Sequence, residues 1–275
     1  ALLAAPGIGA AYTVTPTANG TDLLNALVAN PGDFTSISVS HTVGNAAQVG
    51  TYSGFTSAPV TMAPGVILSS GQVAQTGASF NNGQQGIGTT PSTAYGGGST
   101  AQIDAYAPGK ITNWGSSGDA SQITINFTLA SAGAIAFDFL FGSVEFPQYT
   151  NGYTDAMFAF LDGNQITFDS NGNPVQVGTS FAGSLLTTDT NTAFADPHGL
   201  IGMLTTNSGT LAAGAHVLNI VVADTNDTIL DSAAYIANFR VTDGGDGPVT
   251  TPTPEPATLA VLGVALAGLG AARRR

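Results

Sequence analysis

Three stretches of the chain place acidic side chains directly beside apolar runs. The candidate ligands in these stretches are Glu145, Asp155, Asp224, Asn226, Asp227 and Asp231. Calcium takes about six to eight oxygen ligands from carboxylates, amides and backbone carbonyls, and it needs no thiol or imidazole. Five carboxylates brought together without a base would repel one another unless a cation intervened. The sequence therefore predicts a divalent cation site, with calcium as the expected ion.

The same acids also have a purely structural interpretation. Asp224 and Asp231 could cap turns by accepting hydrogen bonds from backbone N–H groups. A second acidic stretch, Asp169 to Asn173, begins like a calcium loop, but Pro174 stands where that loop requires glycine. We interpret this second stretch as a turn.

Sequence patterns typical of enzymes are absent. His41, His198 and His216 are isolated, and the chain has no His-Glu-x-x-His or Gly-x-Ser-x-Gly motif. Glu145 and Asp155 could form the carboxylate pair of a glycosidase, but two carboxylates are easily found in so acidic a chain. We expect a protein that is not an enzyme, with a glycosidase as the weaker alternative.

The charge balance limits the partners. The net charge is −12, and three of the five basic residues are Arg273, Arg274 and Arg275 at the C-terminus. The rest of the chain has only Lys110 and Arg240 as basic residues, so it lacks the positive surface that nucleic acids require. Without cysteine, the fold cannot use disulfides and must depend on its core. No nucleic-acid partner is expected.

Period-two patterning dominates the body of the chain. Ile123–Leu129 alternates apolar and polar residues, and the next run has Ile135, Phe137, Phe139 and Phe141 on one face. Further predicted strands are Ser36–Val43, Val66–Leu68, Ala156–Leu161, Ile166–Phe168, Val217–Ala223 and Tyr235–Val241. Many short strands predict an all-β antiparallel sandwich, jelly-roll-like, with one short N-terminal helix capped by Thr21 and an apolar C-terminal helix.

Composition divides the chain into four parts. Residues 1–20 are predicted to be a signal-peptide remnant or N-terminal arm, and residues 21–242 form the sandwich. Within it, residues 71–118 are rich in Gly, Ser, Asn and Gln and are predicted to be a flexible insertion. A linker rich in Pro, Thr and Gly follows at 243–253, and a sorting segment at 254–275.

The sorting segment has three parts in a fixed order. Pro254, Glu255 and Pro256 precede an apolar run, Ala257–Ala272, which the arginine cluster ends. Arginine resists entry into hydrocarbon, and about 20 apolar residues are needed to span a bilayer, so this shorter run suits a temporary anchor. The segment resembles the PEP-CTERM sorting signal of Gram-negative bacteria. The resemblance implies transient anchoring in the inner membrane, cleavage by an exosortase near the motif, and delivery to the cell surface or medium.

The body of the chain resembles the choice-of-anchor L domain from about Thr21 to Thr242. The matching segments are the helix at Leu23–Val28, Ala63–Gly71, the block Phe137–Phe160 and Ile220–Ala233. Two positions depart from the family pattern, because Val144 replaces a glutamate and Thr154 replaces an asparagine. The resemblance implies surface location by way of a C-terminal anchor rather than a specific chemistry.

Together these patterns predict a structural or adhesion protein of the cell surface or extracellular matrix that self-associates. The alternative is a carbohydrate-binding module or glycan-processing enzyme acting on exopolysaccharide. For that alternative, the aromatic side chains available to stack on sugar rings are Tyr52, Tyr95, Tyr106, Trp114, Tyr149 and Tyr153. An exposed aromatic platform would favour binding of carbohydrate, whereas aromatic residues used in the core would favour the structural role.

Overall fold

The computed structural model describes residues 12–57, 60–81, 90–96, 98–178, 191–243 and 248–252. These residues contain two α-helices, α1 (Gly20–Leu27) and α2 (Ala101–Tyr106). They also contain sixteen strands: β1 (Thr13–Pro16), β2 (Ser36–Val43), β3 (Val49–Ser53), β4 (Thr56–Ser57), β5 (Val60–Thr61), β6 (Gly65–Ser69), β7 (Ser117–Leu129), β8 (Ala134–Ser143), β9 (Ala156–Leu161), β10 (Asn164–Gln165), β11 (Val175–Gln176), β12 (Gly199–Leu200), β13 (Leu204–Ser208), β14 (Gly214–Thr225), β15 (Ser232–Thr242) and β16 (Pro248–Pro252).

Two antiparallel sheets form the body of the molecule. The first has the order β1-β3-β6-β15-β8-β13-β16, with β12 also paired to β8. The second has the order β10-β9-β14-β7-β2, with β11 also paired to β9, and β4 and β5 form a separate hairpin. The fold is an all-β antiparallel sandwich, as the alternating sequence pattern predicts.

The main core lies between the two sheets because β7 and β8 each turn one apolar face inward. From β7 this core receives Ile123, Ile125, Phe127 and Leu129; from β8 it receives Ile135, Phe137, Phe139 and Phe141. The opposite face of β8 is also buried, since Leu140 packs in a second cluster with Tyr235 and Phe194. Strand β8 is therefore enclosed on both faces.

Helix α1 closes one side of the sandwich. Its N-cap is Asn19, whose Oδ1 accepts from the N–H groups of Thr21 (2.9 Å) and Asp22 (3.2 Å), so the predicted cap at Thr21 is wrong by two residues. Leu23 and Leu27 enter the core. The first helical position requires glycine, because a Cβ at Gly20 would lie 2.2 Å from the Val39 carbonyl oxygen of β2.

Three elements differ from the sequence prediction. Helix α2 lies inside the predicted insertion, where Ile103 packs against Phe158 and Phe160 on the outer face of the second sheet. The predicted strand Ile166–Phe168 is replaced by the two-residue strand β10 just before it. Part of the predicted linker is strand β16, which pairs with β13.

The N-terminal arm up to residue 11 and the sorting segment from 254 onward lie outside the described residues. Within the part of the chain that is described, the helices are too short and insufficiently apolar to cross a membrane.

Candidate functional site

Strand register brings the acidic loops to one end of the sandwich. In the first sheet, Ser232 at the start of β15 pairs with Ser143 at the end of β8, and Ala233 pairs with Ser69 at the end of β6. In the second sheet, the end of β14 lies beside the starts of its neighbours, since Asp224 pairs with Gly118 of β7 and Ala223 with Ala156 of β9. The loops after β6, β8 and β14 and the residues before β7 and β9 therefore meet.

The acids at this end are removed from solvent. Glu145 is 1 % exposed, Asp155 0 %, Asp224 1 % and Asp231 2 %, while Asp227 is half-buried. Among the described residues, no lysine or arginine forms an ion pair with these groups: Arg240 lies near the opposite end of β15, paired with Asp138 at 3.4 Å, and Lys110 is exposed. Nearby bases therefore do not neutralise these carboxylates.

Asp155 is held firmly by hydrogen bonds. Its Oδ1 accepts from the N–H of Thr225 at 3.0 Å, and its Oδ2 accepts from the hydroxyl of Ser232 at 2.7 Å. The N–H of Ser232 donates in turn to the hydroxyl of Ser70 at 2.9 Å. Asp155 thus connects the loops that follow β6 and β14.

Asp231 holds a segment of the insertion over the site. Its Oδ1 accepts from the N–H of Thr93 at 2.8 Å, and its own N–H donates to the Pro91 carbonyl at 2.9 Å. On the other side it packs so closely against Gly71 that a Cβ there would lie 1.8 Å from Oδ2. We call residues 90–96 the strap, since they cross the carboxylates at this end.

Four carboxylate oxygens at this end are buried without a hydrogen-bond partner. They are Glu145 Oε2, Asp224 Oδ1, Asp227 Oδ1 and Asp231 Oδ2. A buried anionic oxygen without a partner costs considerable free energy, and natural proteins usually supply such a group with a donor, a water or an ion. These oxygens are the clearest indication that the site accepts a ligand.

Burial raises the pKa values of these acids. Removal from water, followed by repulsion from Asp155 and Asp227, raises the pKa of Glu145 to about 12. Burial raises the pKa of Asp155 to about 7 despite the hydrogen bond from Ser232, and it raises the pKa of Asp231 to about 7. The pKa values of Asp224 and Asp227 are also raised, with burial as the main cause. Without a counter-charge, the cluster favours protons over full ionisation.

Asp119 joins the cluster, although the sequence analysis does not include it. It is buried, has φ of 45°, and accepts from the N–H of Tyr95 at 2.9 Å through Oδ2. Its charge contributes to the raised pKa values of Asp227 and Asp231. The sequence carries no signal for it, because its place in the cluster follows from the register that pairs Gly118, the residue before it, with Asp224.

Asn226 is held by three hydrogen bonds to neighbouring loops. Its Nδ2 donates to the carbonyls of Asn113 (2.9 Å) and Gly152 (2.8 Å), and its Oδ1 accepts from the N–H of Ser116 at 3.3 Å. These bonds tie the β14–β15 loop to two neighbouring loops. The side chain therefore supports the site from outside the group of unpartnered oxygens.

The remaining candidate residues lie elsewhere. Asp169 forms the predicted turn, since its Oδ1 accepts from the N–H groups of Asn171 (2.8 Å) and Asn173 (2.9 Å). His216 pairs with Asp162 at 2.7 Å on the second sheet. Tyr52 is a core residue, and Tyr106 and Trp114 pack against the cluster under α2.

Among the described residues, no three His, Asp or Glu side chains are already arranged to hold a metal ion. Binding would therefore require rotation of carboxylates, for which calcium is suited because its coordination geometry is flexible. Backbone carbonyls and waters can supply further ligands. The chemistry of the unpartnered oxygens fits a hard divalent cation.

A small cavity opens beside the cluster. It has a volume of about 120 Å³ and is lined by Glu145, Tyr149, Tyr153, Asp227, Ile229 and Leu230. The two tyrosine rings meet edge to face, with centroids 6.5 Å apart. The cavity therefore combines two acids with an aromatic wall.

Comparisons with known proteins give one domain and one motif. The choice-of-anchor L domain matches residues 13–240, and the PEP-CTERM protein-sorting motif matches residues 252–275. No match was found among curated proteins. The sorting motif indicates export, surface anchoring in a Gram-negative bacterium, and transient processing by exosortase.

Among solved structures, the chain is similar to a carbohydrate-binding module, CBM28, described as specific for non-crystalline cellulose. The identity is 12 %, the TM-score is 0.19, and the match covers 57 % of this chain and 78 % of that one. A likeness this weak carries no argument about fold or function. The domain match covers most of the chain, and the protein belongs to the choice-of-anchor L domain family.

Proposed function

We propose that this exported protein is a structural or adhesion component of the cell surface or extracellular matrix, and that a calcium ion closes one end of its sandwich. The observation that carries the proposal is the set of four buried carboxylate oxygens without partners. The ion would link loops from both sheets, so a cation-rich exterior would stabilise the folded protein after export. Its activity would be to present a rigid, acidic surface.

The strongest candidates for ligands are Glu145, Asp224 and Asp231. Each is almost fully buried and has one carboxylate oxygen without a partner. Asp227 is half-buried and would supply a fourth oxygen. Asp155 and Asp119 use oxygens to hold the surrounding backbone, so they would contribute negative charge more than direct ligation.

The test is the melting temperature in chelator and in millimolar calcium. A ligand at about 100 times its Kd stabilises the folded state by about 2.7 kcal/mol, which for a chain of this size raises Tm by roughly 5–10 °C. Asp224→Asn should melt higher than the wild type in chelator, because a buried carboxyl with a raised pKa destabilises the fold at neutral pH and the amide does not, and its rise with calcium should be smaller. Asp33→Asn is the matched control, since Asp33 is exposed and remote from the cluster.

Two results would overturn the calcium proposal. One is a wild-type Tm that calcium leaves unchanged. The other is an equal response to calcium in Asp224→Asn and Asp33→Asn. In either case, the acids would be interpreted as turn caps that remain protonated in the folded protein.

Self-association is the finer part of the proposed role. Strand β1 is an edge strand of the first sheet, and its threonines line a groove of about 430 Å³ together with Thr51, Ser53 and one acid, Asp22. Edge strands are usually protected by lysine or inward charges, and β1 has neither. A strand from a second copy could pair along this edge.

A glycosidase is disfavoured by the state of its candidate carboxylates. Asp155 is fully buried, and each of its oxygens accepts a hydrogen bond. A glycosidase carboxylate must reach the sugar or a nucleophilic water, and Asp155 in this arrangement reaches neither. We therefore retain the proposal of a non-enzymatic protein.

A further inference from the structure

We infer that the cavity beside the carboxylate cluster is a calcium-dependent binding site for neutral carbohydrate. This inference rests on the proposed calcium site, because the ion would be the main polar contact. The ligand class is a pyranose ring with two adjacent hydroxyl groups, presented by a neutral polysaccharide. The site would give the surface protein a specific partner within a matrix.

The first observation is the position of the unpartnered oxygens. Glu145 and Asp227 both line the cavity, and each has one buried carboxylate oxygen without a partner, Oε2 and Oδ1 respectively. A cation bound by these oxygens would lie at the base of the cavity. Calcium rarely obtains all its ligands from protein side chains, so positions facing the cavity would hold exchangeable water.

The second observation is the aromatic wall above those acids. Tyr153 is 39 % exposed, and its ring meets that of the half-buried Tyr149 at an interplanar angle of 75°. Ile229 and Leu230 complete the apolar lining. An apolar, aromatic pocket with a few convergent polar groups is the usual composition of a small-ligand site.

These two features match opposite parts of a pyranose. Adjacent hydroxyl groups can displace two waters from calcium and reproduce their contacts, while the C–H face of the ring packs on an aromatic side chain. An anionic sugar fits less well, because the protein has a net charge of −12 and none of the described residues that line the cavity is basic. The chemistry therefore favours a neutral polymer.

The loop that carries the tyrosines is tied to the acids. The N–H of Tyr149 donates to the Glu145 carbonyl at 2.9 Å, and the N–H of Tyr153 donates to the Tyr149 carbonyl at 3.3 Å. Glu145 itself follows β8 in the core, where its N–H donates to the hydroxyl of Ser143 at 3.0 Å. These hydrogen bonds hold the two tyrosines close to Glu145, and therefore close to the proposed ion.

The experiment measures retention of the full-length chain on immobilised mannan, galactan and glucan, and on an immobilised uronate polymer, with millimolar calcium or chelator. We expect retention on at least one neutral polymer that chelator abolishes. Tyr153→Ala should reduce the affinity about tenfold while keeping the calcium-dependent rise in Tm. Phe80→Ala is the matched control, because Phe80 is 42 % exposed and does not line the cavity.

The outcomes separate this inference from the calcium proposal. If calcium raises Tm but no neutral polymer is retained, or chelator does not affect retention, the carbohydrate site is overturned and the calcium site stands. Equal retention of Tyr153→Ala and Phe80→Ala would also overturn it, as would retention on the uronate polymer alone. If calcium does not raise Tm, both proposals fail.

Discussion

At the scale of single residues, the main feature is a group of buried acids that no base of the described part of the chain neutralises. Glu145, Asp155, Asp224 and Asp231 are each at most 2 % exposed, and burial raises the pKa of every one. Such an arrangement opposes folding at neutral pH when the acids are ionised. A bound divalent cation would reverse the sign of that contribution, because it pairs with the ionised form.

Gly71→Ala tests whether close packing against Asp231 matters for the cluster. A Cβ at Gly71 would lie 1.8 Å from Asp231 Oδ2, so the carboxylate must move, and overpacking of this kind costs about 1–3 kcal/mol. We expect a lower Tm and a smaller response to calcium. The matched control is Gly152→Ala, where a Cβ meets nothing within 4 Å, and the change should be within about 0.5 kcal/mol. Equal behaviour of the two variants would contradict this account.

The pair of His216 and Asp162 predicts a small pH dependence of stability that comes from a hydrogen-bonded histidine rather than from the buried acids. Partial burial alone would lower the pKa of His216, but hydrogen bonds to Asp162 and to the Ala212 carbonyl outweigh it, and the pKa is raised above 6.5. A raised histidine pKa stabilises the fold fully below the unfolded value and loses that stabilisation as pH rises through the folded value.

His216→Gln should therefore melt below the wild type at pH 5, by no more than about 2 °C because the pair is partly exposed, and the difference should shrink by pH 8. Direct titration by NMR should give His216 a pKa above that of His41, whose pKa burial lowers. A difference in Tm that grows with pH would contradict the assigned sign.

The sequence predicts most of this chemistry but not its full extent. Glu145 and Asp155 are recognisable because each directly adjoins an apolar run, and Asp224, Asp227 and Asp231 are recognisable because they lie close together between two apolar runs. Asp119 is missed because it lies within a stretch rich in Gly and Ser, where nothing marks a strand until Gln122. Asn226 has the right chemistry for a ligand, but its role depends on carbonyls of Asn113 and Gly152, which are distant in sequence.

At the scale of elements, register decides which loops meet. Strands β2 and β9 have the predicted bounds. In β2 the alternation of apolar and polar residues fixes the pairing, whereas β9 is a continuous apolar run that is buried on both faces. Helix α2 is not predicted since it is only six residues long and lies in a glycine-rich context. Thr100 caps this helix, since its hydroxyl accepts from the N–H of Ile103 at 3.1 Å. A threonine alone does not predict a helix start, and the burial of Ile103 that supports it is seen only in the structure.

The strap provides a local probe of the site. Asp231 uses Oδ1 to hold the N–H of Thr93 and leaves Oδ2 for the proposed ion. Calcium should therefore hold the carboxylate in place and slow hydrogen exchange at the Thr93 amide, by about tenfold or more if it stabilises local closing by about 1.4 kcal/mol. The amide of Ala107 in the α2 region, bonded to the Ile103 carbonyl at 2.8 Å, is the internal control. Equal slowing at both amides would indicate global stabilisation instead.

At the scale of the whole molecule, charge and edges set the possible partners. The acids outnumber the bases by 17 to 5, and the body of the chain has two bases, of which Arg240 is already paired with Asp138. Association between copies must therefore depend on backbone pairing, on uncharged surface or on cations. One edge of the second sheet is partly covered, since the start of α1 packs against β2 at Val39. This arrangement leaves β1 as the better candidate for pairing.

Deletion of residues 1–11 tests the predicted arm in assembly. The deletion keeps Tyr12, whose hydroxyl bonds to those of Thr76 (2.8 Å) and Tyr235 (3.0 Å), so the sheet behind β1 retains its contacts. If the arm of one copy adds a strand to the β1 edge of another, the deletion should convert oligomers to monomers in sedimentation experiments, with Tm nearly unchanged. A shortened protein that still assembles at the same concentration would show that the arm is not needed for assembly.

Assembly would then have to use another surface, such as the exposed hydroxyl-rich side of β2. There, Ser36 and Thr42 bond to Thr128 and Thr124 across the sheet.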